Sequence, residues 1–401
     1  MLHTFPDPGG PPLLYAPAGL LRLAAARCGL NVPGDLDVLA ALEKLCAGFE
    51  AARPNQTSFG KLHTQALLLD ALAKRLRLAD YLTRFPEIRA TAVPQPIIIV
   101  APFRTGTTFL HRLLSRDPAS RWPRVWEIAF PAPAAPRWRG ETRYFADDAR
   151  VAAGSAALRI LDRASPALSR LHPMSVDLAE ECFGLLETSL MSHSFLFYAE
   201  LPSYAAWLDS CGEAEWRTAY ERYADQLRLL QWWFPGRRWV LKSPVHLWHL
   251  EALLAVLPDA HVVQLHRDAT AVMHSFHQLL SAHRDMMCKP TPAAAIGDQA
   301  VRYMTSALDR AVAARRRIDA ARFIDIGFDD LMADPAHCVR TIYRRVGQDV
   351  TPEAEAAFAA WLARETPGPR RDGPSLDGCG AARRDLRDAF AAYDAFWTRG
   401  G

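Results

Sequence analysis

Apolar residues recur along this chain with two different periods. Ile97, Ile98, Ile99 and Val100 form an unbroken run of β-branched residues, the composition of a strand buried on both faces of a parallel sheet. Residues 239–241, 261–265 and 323–326 are further short, apolar-rich runs that read as strands. Between them the apolar positions follow a helical spacing: from Thr107 onward (Phe109, Leu110, Leu113, Leu114), then over 246–257, 270–282, 302–320 and 331–346. Strands separated by single helices require right-handed crossovers. The pattern therefore predicts an α/β fold, a central parallel sheet with helices on both faces.

The flanking sequence predicts helices. Residues 1–17, rich in proline and glycine, read as an irregular arm. From Gly19 to Leu82 the spacing of leucines is helical, and the last segment carries Lys74, Arg75 and Arg77 opposite its apolar face. Pro131, Pro133 and Pro136 predict an irregular excursion over 121–138, and residues 145–235 are again helical and rich in aromatics. The chain thus divides into an arm and helical lead-in over 1–90 and an α/β domain over 91–401, whose helical insertion at about 120–235 is placed to bind substrate. Two helices flanking a basic loop at 368–373 complete the C-terminal part.

Composition narrows the function classes. With 401 residues, half of them hydrophobic and 23 % charged, the chain can bury a substantial core. A net charge of +3 is too small for this length to indicate a nucleic-acid or anionic-membrane partner, so anion binding is expected to be local. Seven scattered cysteines without a CxxC pair read as reduced thiols of a cytoplasmic protein. His246/His249 and His274/His277 are spaced i,i+3 but lack a third ligand, so no metal site is expected. No apolar stretch reaches the ~18–20 residues of a membrane span. The N-terminal residues lack the basic start and apolar segment of a secretory signal.

Candidate chemistry sits where the predicted strands end. After Val100 a tight turn through Pro102, Phe103, Arg104, Thr105 and Gly106 leads to Thr107 and Thr108 at a helix N-terminus. Backbone N–H groups, the helix dipole and Arg104 make this an anion site. It departs from the ATPase loop GxxxxGK[ST], because Ala101 stands at the first glycine and Thr107 at the lysine. Lys242 ends a second strand, and Arg267 lies just past a third with Ser275 eight residues on. Three cations at three strand ends would line one edge of the sheet, as a doubly charged nucleotide requires. The string HRD at 266–268 also occurs in protein kinases, but Met273 holds the place of their asparagine and no DFG follows.

Taken together, PFRTGTTFLHRLLSRDP (102–118), RVWE (124–127), HPMSVDLAEE (172–181) and VLKSPVHLWHLEALLAVLPDAHVVQLHRD (240–268), with Arg267 and Ser275, carry a resemblance. From about residue 58 to 400 the chain resembles the bacterial branch of the sulfotransferases that use 3′-phosphoadenosine 5′-phosphosulfate (PAPS). The resemblance implies a three-layer, P-loop-like fold and transfer of a sulfuryl group from PAPS to a hydroxyl or amine of a small acceptor, without a metal. Aromatic residues in the insertion point to an apolar acceptor. In the same way Arg104, Thr105, Gly106, Thr107 and Thr108 are implied to hold the 5′-phosphosulfate, and Arg267 and Ser275 the 3′-phosphate. Lys242 would stabilise the sulfuryl group and the leaving phosphate, with Arg370 and Arg371 closing over the nucleotide.

The general base is less defined. Cytosolic members of the family use a histidine two residues after the matching lysine, and here that position is Pro244. Glu127 matches the glutamate of other branches; Glu181 and His172 are its rivals, with Glu180 and His246 behind them. Two other readings stay open at this point, a P-loop-type kinase or NTPase and a PAP-binding protein without transfer chemistry. No motif names the acceptor or the oligomeric state, a homo-oligomer included.

Overall fold

The run Ile97–Val100 is the middle of the sheet. In the computed structural model, which describes residues 14–34, 36–132, 149–365 and 383–400, it is β1. The other strands are β2 (Ser120–Arg121), β3 (Arg238–Lys242), β4 (His261–His266) and β5 (Phe323–Gly327). They lie in the order β2-β3-β1-β4-β5, and every neighbouring pair is parallel. This sheet with its covering helices is the α/β architecture that the apolar pattern predicts.

Register brings the strand ends together. Ile99 pairs with Lys242, Val100 with Gln264, and His266 with Gly327. The loop after Val100, the Lys242 side chain and Arg267 therefore leave the same carboxyl edge of three adjacent strands. Open parallel sheets bind ligands at that edge.

Alternation along β1 divides the core. Ile97 and Ile99 pack with Leu110, Leu113, Val263 and Ile342, whereas Ile98 and Val100 join a larger cluster on the other face. That cluster includes Phe49 and Leu72 from the helices Leu39–Ala52 and Ser58–Arg84, together with Tyr204, Tyr220 and Phe276. The N-terminal helices thus share one core with the sheet. All four β1 side chains are fully buried, each worth roughly 1.5–3 kcal/mol relative to exposure, and this anchors the loop that follows.

Several elements differ from the expectations. Within 121–138, Arg121 belongs to the edge strand β2, paired with β3, and Val125–Ala129 forms a short helix that ends before Pro131. Glu127 caps it by accepting the Arg124 N–H at 3.1 Å. The helix expected at 302–320 is Ala293–Arg315, which starts directly after Pro292. The stretch 331–346 holds two helices, Phe328–Ala333 and Pro335–Arg345, separated where Asp334 caps the second through the His337 N–H at 2.8 Å. Among the described residues no helix is long and apolar enough to cross a membrane.

Candidate active site

The loop after β1 has the backbone of an anion cradle. Gly106 adopts φ 80° and precedes the helix Thr107–Leu114, whose first N–H groups receive no side-chain cap. Glycine is favoured on two counts, because this φ is left-handed and a Cβ at Gly106 would stand a tight 3.3 Å from the Phe328 ring. Thr105 is fully buried, and its hydroxyl donates to the Pro102 carbonyl at 2.8 Å, closing the turn.

Arg104 has φ 68°, a left-handed conformation that costs a non-glycine residue roughly 1–2 kcal/mol. Contacts on both sides hold it. Its Nε donates to Ser275 Oγ at 2.8 Å and its NH1 to the Leu171 carbonyl at 2.9 Å. Its own carbonyl accepts from Arg267 NH1 at 3.0 Å. The structure thus joins Arg104, Ser275 and Arg267, which lie up to 171 positions apart in the chain.

Lys242 forms the second cluster. Its side chain is 1 % exposed, and its Nζ donates to Glu181 at 2.5 Å and to the Thr108 hydroxyl at 3.4 Å. Backbone contacts seat the 179–182 segment against it: Cys182 N–H donates to the Lys242 carbonyl at 3.0 Å, and Glu180 N–H to Pro123 at 3.1 Å. Glu180 accepts from His172 Nε2 at 3.0 Å and from the Glu181 N–H at 2.8 Å. Burial alone would raise the Glu180 carboxyl, but His172 and Lys242 outweigh it and bring it down to about 2.

The candidate bases separate by what they touch. Glu127 has no exposed surface, and Arg121 grips its carboxylate with both terminal guanidinium nitrogens. Burial would raise this carboxyl, yet Arg121 and Arg124 hold it below the usual range. Arg121 itself donates to the Trp122 and Phe234 carbonyls and lies over the Trp239 ring at 4.7 Å, so the pair ties the edge of the sheet together. Glu181, by contrast, is 12 % exposed and paired with Lys242. His172 stands one residue from the Leu171 carbonyl that holds Arg104. His246 is packed away: Tyr220 and Cys182 contact its two nitrogens at 3.0 and 3.3 Å, and burial pushes it down to about 3.

A cleft of about 430 Å³ opens at the carboxyl ends of β4 and β5, with Arg267, Phe328 and Trp397 in its walls. The Arg267 guanidinium lies over the Phe328 ring at 4.1 Å. Phe328 therefore lies under Arg267 and stands where a side chain added at Gly106 would meet it. Sequence reasoning missed it, although an aromatic immediately after a strand that ends at this edge was a usable signal. Arg370 and Arg371 lie outside the described residues. Among the described residues no group of three or more His, Cys, Asp or Glu is arranged to hold a metal ion.

Comparison with known proteins follows the same contour. The profile of the sulfotransferase family matches residues 96–352. Over 259 residues the chain is 27 % identical to proteins of Mycobacterium bovis and Mycobacterium tuberculosis named omega-hydroxy-beta-dihydromenaquinone-9 sulfotransferase Stf3. The match spans 63 % of this chain and 62 % of those relatives' length. Among solved structures, sulfotransferase STF1 of Mycobacterium tuberculosis superposes with a TM-score of 0.80 at 31 % identity, covering 93 % of this chain and 97 % of that one. Sulfotransferase STF9 of Mycobacterium avium gives 0.78 at 28 % identity, covering 94 % and 95 %.

Proposed function

The chain belongs to the sulfotransferase family, and from that premise we propose that it transfers a sulfuryl group from PAPS to the hydroxyl of a small, apolar acceptor. The observation that carries this reading is the meeting of Arg104, Ser275 and Arg267 in one hydrogen-bonded group at the strand edge where Lys242 also ends. A nucleotide with phosphate at both 5′ and 3′ positions needs two anion sites side by side, and ATP does not.

The roles follow from donor chemistry. The N–H groups at the start of Thr107–Leu114 and the Arg104 guanidinium take the 5′ oxygens. Arg267 and Ser275 take the 3′-phosphate; Ser275 accepts from Arg104 and keeps its own O–H to donate. PAPS supplies an activated sulfuryl group whose departure leaves negative charge on the phosphate. Lys242 neutralises that charge from the end of β3. Glu181 takes the acceptor's proton. When Lys242 turns to the phosphate, it releases the Glu181 oxygen to which it donates, and that oxygen is then open to the acceptor's proton.

Support for an apolar acceptor comes from rings packed beside the loop. Phe103 stacks on Phe276 at 4.8 Å and meets Phe197 at 5.4 Å. A relative named for a hydroxylated menaquinone derivative points the same way. The test is transfer of radiolabelled sulfate from PAPS to a panel of apolar alcohols and phenols, with an ω-hydroxylated quinone included. Expected is labelled, organic-extractable product that falls by about 10²–10³-fold in Lys242→Ala. Consumption of ATP, with no PAP released from PAPS by any acceptor, would overturn the proposal.

A further inference from the structure

His266, the residue before Arg267, is wholly buried and held on every side. Its Nε2 lies 2.8 Å from Asp325 Oδ1, and its Nδ1 lies 2.8 Å from the Tyr393 hydroxyl. Trp397 stacks on its face with ring centroids 3.7 Å apart and 8° between planes. Asp325 also accepts from Arg315 at 2.7 and 2.8 Å, and Arg315 donates in turn to Gln264 of β4 at 2.8 Å.

The chemistry of the neighbours decides the tautomer. Burial would raise the Asp325 carboxyl, but the hydrogen bonds from Arg315 and His266 hold it far below its usual range, so it only accepts. Burial pushes the Tyr393 hydroxyl up, so it keeps its proton. Burial also lowers His266 despite Asp325, leaving the ring neutral. Nε2–H therefore donates to Asp325, and Nδ1 accepts from Tyr393.

Tyr393 and Trp397 are one turn apart on the C-terminal helix Arg383–Gly400, and Trp397 reaches the cleft that Arg267 lines. We propose that His266, Tyr393 and Trp397 are positioning residues, a latch through which the C-terminal helix sets the place of Arg267 and with it the preference for a 3′-phosphate. The inference rests on the donor reading above. The ring of His266 joins the strand end that leads into Arg267 to the C-terminal helix.

Calorimetric titration of PAP and of 5′-AMP, which lacks the 3′-phosphate, into the full chain and three variants tests this. Loss of one hydrogen bond or one stacked ring at the latch should lower the PAP-to-AMP affinity ratio roughly three- to tenfold, with AMP affinity unchanged, in Tyr393→Phe and in Trp397→Ala. Trp397→Phe should restore most of the ratio. If PAP and AMP weaken by the same factor, or the ratio holds in both variants, the latch is only structural and the proposal falls. A wild-type protein that does not prefer PAP overturns the donor reading itself, an outcome visible before any variant is measured.

Discussion

Glu181→Gln and Glu127→Gln together separate catalysis from architecture. Both replace a carboxylate by an amide of the same shape, but the two sites are built differently. Glu181 meets Lys242 and the site edge, so the substitution removes the proton acceptor while leaving an oxygen for the lysine. Loss of a positioned general base lowers kcat by roughly 10²–10⁴. PAP affinity should hold or rise, because a negative charge no longer competes for Lys242. Glu127 is fully buried against Arg121, and the substitution strands that cation in the interior. Breaking such a pair costs about 3–5 kcal/mol of stability, seen as a lower denaturant midpoint. Steady-state kinetics with PAPS, alongside urea unfolding of each variant, provide both readouts. Wild-type turnover in Glu181→Gln, with a stable but inactive Glu127→Gln, would refute this assignment and return the base to Glu127.

Other consequences are as direct. Gly106→Ala must hold φ 80° and press a methyl toward Phe328, so nucleotide affinity should fall by roughly tenfold; unchanged PAP titration would show that the cradle tolerates a side chain. Arg267→Ala should weaken PAP while leaving AMP nearly unaffected, and an unchanged ratio would remove the 3′-phosphate from this residue. Glu180 is brought down to about 2 from a usual 4.5, so the stability it contributes is present above pH 4.5 and is lost as pH falls toward 2. Melting temperatures across that window should fall less steeply in Glu180→Gln, and parallel curves would contradict the linkage. Chelation with EDTA should leave turnover intact, since cationic side chains carry the charge; loss of activity on chelation would require revising the roles of Lys242 and Arg104.

Much of the frame is legible in the chain because its strands are local signals. The β-branched run at 97–100 and the turn that follows predict β1 and its helix, and the ends of β3, β4 and β5 lie within a residue or two of their apolar runs. β2 is not legible, since two residues, Ser120 and Arg121, become a strand only by pairing with Arg238 and Trp239. The helix Val125–Ala129 is too short to show a period. Site residues at strand ends follow from topology, but the choice among bases does not. Glu127 and Glu181 look alike as letters, and only packing shows one sealed against Arg121 and the other beside Lys242. The Arg104–Ser275 contact and the ring of His266 under the C-terminal helix likewise join residues far apart in the chain.

The donor proposed for this sheet edge is a nucleotide phosphorylated at both its 5′ and 3′ positions. Calorimetric titration of the wild-type chain with PAP, 5′-AMP and ATP in magnesium-free buffer tests it most directly. PAP is expected to bind at least tenfold more tightly than either of the others. ATP binding as tightly as PAP would contradict it.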